Sequence, residues 1–389
     1  MKNSQHLRIF LTTSQICTIY ATLLAKATRQ QGDAAILFID GSKRKQGLID
    51  LITKTSKIYP WTLLHDFSIP MGEDHDYNPT IGKNITRKFK NWPFIKSIYD
   101  FMLKKHMDRI DIQYRKELLL QLNPYLTKDT QISLYMLTQT YLNSPLMQLF
   151  PSASINYIEH GMGDYYYILD PKTPKGNFYC LFSEGYKKFL MKNGQSTNWV
   201  KNLPDVNSFS EIAKQLNNDQ ENKLNVDKLK IPELPIVFIL LEAVDMYNVK
   251  SAFWSDYLNH IFLQLEKPKQ YHYLLKPHPM QSAESMVATT KHLDSLGYSY
   301  SILDESQLIN TSAEVLFSIW EKQTRHVFCL FSSGCYYLSQ LYTGTNIQYW
   351  YSTEFLSHYI SNAPPQFKKM FVEIRPIIEE VLTEKCKSY

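Results

Sequence analysis

Tyr271-His272-Tyr273-Leu274-Leu275-Lys276-Pro277-His278-Pro279 decides how this chain is read. The apolar run Tyr271–Leu275 has the length and composition of a buried strand. The prolines that follow end it, because each fixes φ and removes a backbone donor. About fifty residues on, Val327–Phe331 (VFCLF) is a second such run, and it ends in Ser332-Ser333-Gly334. In an open α/β sheet, ligands bind outside the carboxyl ends of the strands. Both motifs are therefore expected at one crevice. Lys276-Pro277-His278-Pro279 presents an imidazole with little freedom. Ser332 and Ser333 add two hydroxyls and backbone N–H groups at a helix start, where a phosphate binds without a cationic side chain, and Gly334 permits close approach. Each motif also has a plainer reading, His278 as a turn residue bonded to backbone and Ser332 as an ordinary helix cap.

Working outward, strand-like and helix-like segments alternate along most of the chain. Leu7–Leu11, Ala34–Ile39, a stretch near Trp61–Ile69, Ile132–Leu137, Ile155–Ile158 and Phe178–Phe182 read as strands in the first half. Helices are expected from about Gln15, capped by Thr12-Thr13-Ser14, over Lys45–Thr55, and after Ser183 as a cap. Leu203–Pro235 is rich in Asn, Asp, Gln, Lys and Pro and reads as a linker. Ile236–Leu241 (IVFILL) then opens a second series of strands. Helices over Ser251–Leu265, Ala283–Leu296 and Ala313–Trp320, strands over Tyr298–Leu303 and Ile347–Tyr351, and a closing helix over Glu373–Lys385 complete it. Such alternation predicts parallel sheets covered by helices on both faces. The expected organisation is a Rossmann-like domain over 1–205, a linker over 206–234, a second Rossmann-like domain over 235–370 and a C-terminal helix within 371–389. Two such domains facing across a cleft form the α/β arrangement called GT-B.

Composition sets the bounds. The 389 residues, 44% hydrophobic and 20% charged, suit a folded chain of two or three domains. The 27 tyrosines and 20 phenylalanines are expected mostly in the cores. Net charge is +5, but ten Lys or Arg stand against three Asp between Lys83 and Lys116. That tract suits an anionic partner or a membrane surface, and equally a solvated helix face. Five scattered cysteines without a CxxC pair fit a reducing cytoplasm and argue against a disulfide framework or a zinc knot. No apolar run approaches the ~20 residues that span a bilayer, so any membrane attachment is expected to be peripheral.

A third motif stands at the end of the strand Ile155–Ile158: Glu159-His160-Gly161-Met162-Gly163-Asp164. A carboxylate there, partly desolvated, gains the pKa of a general base. Glu159 is the first candidate, with His160 and Asp164 as competitors; the plainer reading is a capped turn. The chain contains no GxGxxG, GxxxxGK[ST], HExxH or GxSxG, so dinucleotide, P-loop, zincin and hydrolase-elbow chemistries lack support. With no DxD-like pair at a strand end, no metal or other cofactor is expected.

These motifs resemble those of GT-B bacterial sialyltransferases, which carry an acidic motif ending in glycine, an HP motif and a Ser pair. Glu159 to Gly161, His278-Pro279 and Ser332-Ser333 follow that order. In length and spacing the chain is most similar to the capsular polysialyltransferase family. The resemblance implies an inverting, metal-independent transfer of sialic acid from CMP-sialic acid to a sialylated or polysialic acid acceptor. Glu159 would be the general base, His278 would stabilise the departing CMP phosphate, and Lys276, Pro279, Ser332, Ser333 and Gly334 would hold it. Arg87, Lys88, Lys104 and Lys105 would bind the anionic glycan. The family further implies capsule-assembly proteins as partners, no nucleic acid, and a place in the cytoplasm on the inner face of the bacterial inner membrane. His160, where many relatives carry a second acidic residue, is a departure. His160-Gly161 with His278-Pro279 also resembles teichoic-acid-type polymerases that use CDP-glycerol, in which His160 would be the base. A Kdo transferase and a non-catalytic glycan-binding module are further alternatives.

Overall fold

Strands that are apolar on both faces require cover on both, and the chain supplies it by parallel crossover units. The computed structural model describes residues 6–41, 46–67, 108–109, 111–140, 142–218, 229–242, 244, 252–279, 281–304, 306–343, 346–359, 365–383 and 385–389. The N-terminal lobe holds β1 (His6–Thr12), β2 (Ala34–Ile39), β3 (Leu63–Asp66), β4 (Gln131–Met136), β5 (Ser154–Ile158), β6 (Asn177–Cys180) and β7 (Val200–Asn202). They form one sheet in the order β3-β2-β1-β4-β5-β6-β7, with every pairing parallel. The C-terminal lobe holds β8 (Ile236–Leu240), β9 (His272–Lys276), β10 (Ser299–Ile302), β11 (Thr324–Cys329), β12 (Gln348–Tyr351) and β13 (Cys386–Ser388). Its order is β10-β9-β8-β11-β12-β13, again parallel throughout. Strand order reverses direction beside β1 and β8, so a crevice opens between β1 and β4 in one lobe and between β8 and β11 in the other.

The period-2 alternation of β8 divides the core. Ile236, Phe238 and Leu240 join an apolar cluster that runs from the N-terminal lobe across the seam. Val237 and Ile239 face the other way, onto Phe253, Trp254 and Tyr257. The helices Ala283–Leu296 and Ala313–Trp320 form where the sequence predicts them, each started by a serine that accepts a backbone N–H, Ser282 from Ser285 and Ser312 from Val315. Ser183 does not cap as expected. It is the first helical residue of Ser183–Lys192, and its hydroxyl bonds Asn202 at the end of β7.

The segment read as a linker contains a helix, Phe209–Asn217. Phe209, Ile212 and Ala213 are buried at i, i+3 and i+4, the spacing of one helix face. The Phe209 ring lies 6.3 Å from Tyr20 of the N-terminal lobe and 6.5 Å from Tyr342 of the C-terminal lobe. Asn217 Nδ2 donates to Val315 O at 2.7 Å and Ser318 Oγ at 2.9 Å. This helix thus fills the joint between the lobes.

The closing helix is Pro365–Ile377, followed by a π turn at Ile378–Leu382 and by β13, which sequence reading missed. The chain here leaves the C-terminal lobe, crosses to the other and returns. Tyr166 donates to Glu373, Lys192 Nζ stands 2.9 Å from Glu380 Oε1, and a Cβ at Gly185 would lie 2.9 Å from Val381 O. Gly185 therefore allows the π turn to lie directly on the helix Ser183–Lys192. Tyr389 then closes the far face, its hydroxyl on Tyr257 at 3.1 Å. Among the described residues no helix is long and apolar enough to cross a membrane.

Candidate functional site

The turn after β5 places Glu159 at the carboxyl edge of the first sheet. Asp164 holds that turn from within, accepting the N–H of His160, the N–H of Gly161 at 3.0 Å and the Thr138 hydroxyl at the end of β4. The Glu159 side chain is fully enclosed, 0% exposed. Its Oε2 accepts Leu181 N–H at 2.7 Å. Burial pushes its carboxyl up from the ordinary 4.5 to about 7, while the Leu181 N–H and the nearby Tyr337 and Tyr165 hydroxyls favour the charged form and Asp164 opposes it. The phenols lie near without hydrogen-bond geometry to Oε1, which has no partner among the described residues; the Tyr337 and Tyr20 hydroxyls are likewise unpartnered. A buried orphan oxygen of this kind is rare, because leaving it unpaired costs about 1–3 kcal/mol.

Tyr337 comes from the other lobe. It belongs to the helix Ser333–Leu341, which starts at the Ser332-Ser333-Gly334 motif after β11. Its ring stacks 6.2 Å from Phe182 and lies 6.4 Å from Tyr20. Burial and the Glu159 charge hold its phenol well above the ordinary range. Nearby, Gln15 Oε1, at the start of the first helix after β1, accepts Ser312 N–H at 2.9 Å across the seam. The two lobes thus meet with Glu159 of one against Tyr337, on the serine-capped helix of the other.

Within the second lobe, Ser332 caps that helix by accepting Gly334 N–H at 3.2 Å. Ser333 is half-buried, and its hydroxyl has no partner among the described residues. Gly334 is approached by the protein itself: a Cβ there would lie 3.0 Å from Leu240 Cδ1, so that side chain would have to give way slightly. Lys276, at the end of β9, is buried, and its Nζ donates to Pro277 O at 3.1 Å and Ile309 O at 2.8 Å. Burial draws it down to about 8, with the Glu314 carboxylate pushing back. Lys276 therefore ties the proline turn to the short helix Ser306–Asn310. His278 and Pro279 are exposed beyond it, and His278 O accepts Gln281 N–H at 2.9 Å.

Glu242 is the residue that sequence reading left undistinguished. It follows β8 and is 9% exposed, and one oxygen accepts the backbone N–H groups of Leu330 (3.0 Å), Phe331 and Ser332. Burial pushes its carboxyl up to about 7 against those three bonds. Arg87, Lys88, Lys104 and Lys105 lie outside the described residues, as does most of the basic tract. Among the described residues no three His, Cys, Asp or Glu side chains stand together so as to hold a metal ion.

No protein-family model and no curated protein matches this sequence. Solved structures do resemble it. UDP-GlcNAc 2-epimerase from Methanocaldococcus jannaschii aligns over 98% of this chain and 94% of its own with a TM-score of 0.51 at 12% identity. The GT-B domain of a sialyltransferase from Photobacterium damselae aligns over 98% of this chain and 99% of its own, with a TM-score of 0.46 and 10% identity. Identities this low speak to architecture alone. The chain has the GT-B-like fold, two parallel Rossmann-like sheets.

Proposed function

We propose that this chain is a glycosyltransferase using a nucleotide-activated sugar, and more narrowly an inverting sialyltransferase using CMP-sialic acid and needing no metal. One observation carries the reading. Glu159, a buried carboxylate with one unpartnered oxygen, lies against the helix that begins at Ser332-Ser333. In the proposed reaction Glu159 takes the proton of an acceptor hydroxyl. The acceptor oxygen bonds to the anomeric carbon as that carbon's bond to the CMP phosphate oxygen breaks, and CMP departs. His278 and the Ser332 and Ser333 hydroxyls receive the charge on the leaving phosphate, the kind of stabilisation that matters most where charge develops. A carboxyl near 7 is matched to base work at neutral pH. Lys276 supports the turn that presents His278. The acceptor is proposed to be an anionic glycan drawn to the tract that includes Arg87, Lys88, Lys104 and Lys105, at the inner face of the membrane.

A second reading has its own observation. His160 is half-buried whereas Glu159 is enclosed, so an incoming hydroxyl reaches the imidazole with less rearrangement. That favours His160 as base and a CDP-glycerol donor. A donor screen separates the two: CMP-sialic acid, CMP-Kdo, CDP-glycerol and UDP-GlcNAc (the sugar nucleotide of the archaeal relative in fold), with product size read on a gel and a parallel run in excess chelator. Polymer from CMP-sialic acid alone, undiminished by chelator, is the expected result. Turnover confined to another donor overturns the sialyl reading, and none with any overturns the transferase.

A further inference from the structure

Glu242 stands where the connections of the second sheet diverge, between β8 and β11. Amide groups at the end of a strand in such a crevice are the usual receptors for a ligand's phosphate. Here the chain places its own carboxylate on three of them. Leu330, Phe331 and Ser332 all direct their N–H groups to Glu242 Oε1. The Phe331 ring packs 5.0 Å from Phe371, so the loop is fastened on two sides. With its N–H fixed, Ser332 turns its Oγ to Gly334 N–H, and Ser333 is the half-buried first residue of the helix that follows.

We propose that Glu242 is the positioning residue of the donor-phosphate loop, fixing the backbone of residues 330–332 so that the Ser332 and Ser333 hydroxyls, and not those amides, meet the phosphate. This rests on the donor reading of Ser332-Ser333 given above. Two effects of Glu242 oppose each other. Its charge repels an incoming phosphate, and its three bonds pre-organise the groups that bind it. The inference is that pre-organisation wins, because the Glu242 oxygen is turned onto the amides whereas an unfastened loop must be ordered at each binding event.

The test uses the full chain with CMP and cytidine as probes, and titration calorimetry as readout. Glu242→Gln keeps the volume and one acceptor oxygen; Glu242→Leu removes the acceptor. For folded variants with a cooperative melt, CMP binding is expected about tenfold weaker for Gln, and weaker again for Leu, as charge-assisted bonds are lost. Cytidine, which lacks the phosphate, is expected to bind as to the wild type. Should Leu fail to fold, Gln alone decides. Unchanged or tighter CMP binding, or equal losses for CMP and cytidine, overturns the proposal. If the wild-type chain binds neither probe, the donor reading falls first and this inference with it.

Discussion

Glu159 and Glu242 each stand at the end of an interior strand, one in either lobe, and do not look alike. Each is buried, and burial pushes each up to about 7. Glu242 gathers three backbone N–H groups on one oxygen and so holds a loop. Glu159 receives one N–H on Oε2, and its other oxygen is orphaned beneath two tyrosines from opposite lobes. The pair teaches that a shifted carboxyl is not by itself a mark of chemistry. What separates a fastener from a base is whether an acceptor site is left over for an incoming proton.

The sharpest way to break the contrast is Glu159→Gln. Turnover is expected to fall by a factor on the order of a thousand, as loss of a general base implies, with CMP affinity within twofold of wild type. Steady-state kinetics with calorimetry reads both; full activity would pass the base to His160.

The next effect is on stability against pH, where the two carboxyls should behave alike. Below the ordinary value of 4.5 both folded and unfolded chains hold these protons, and stability is complete. As pH rises from there to about 7 the unfolded chain gives them up first, so stability declines, by something on the order of 3 kcal/mol per carboxyl, and then levels off. Burial also draws His272 and His326 down to about 4, which raises stability over part of the same range, so the carboxyl decline is read as a difference: between pH 5 and pH 8, Glu159→Gln and Glu242→Gln should each lose less stability than the wild type in denaturant titrations. A pH dependence untouched by either substitution would mean the burial shown here does not persist in solution.

Two smaller effects sharpen the account of Glu159, with opposite signs. Tyr337→Phe removes a phenol that favours the charged carboxylate, so the acidic limb of the turnover profile should move up by about half a pH unit. Asp164→Asn removes a neighbouring negative charge and should move that limb down by a few tenths at most, since Asp164 is the weakest of the influences on Glu159. Shifts in the same direction would show that the turn has rearranged.

Much of the fold could be read from the chain, and the reasons are local. Ala34–Ile39, Ala283–Leu296 and Ala313–Trp320 carry their periodicity and caps within a dozen residues, and they form as read. β7 and β13 are three residues each and include Lys and Asn or Ser, too short for an alternation to show. In Phe209–Asn217 the polar composition concealed a one-sided apolar face. At the site, the strand-end placement of Glu159, His278 and Ser332 followed from the apolar runs before them. The role of Glu242 did not, because its partners lie 88 to 90 residues away in the chain. The enclosure of Glu159 depends in the same way on Tyr337, which no local pattern connects to it.

The tail that goes over to the first lobe and comes back as β13 has a mechanical consequence. It works as a belt: the lobes are joined by the connection ahead of β8 and again by Glu373, Glu380 and the turn lodged at Gly185. A protease cut between residues 219 and 228 should therefore yield two fragments that travel as one particle on a sizing column and part only in denaturant, and clipping after residue 364 as well should lower the denaturant needed to part them, leaving the shared apolar cluster to hold them.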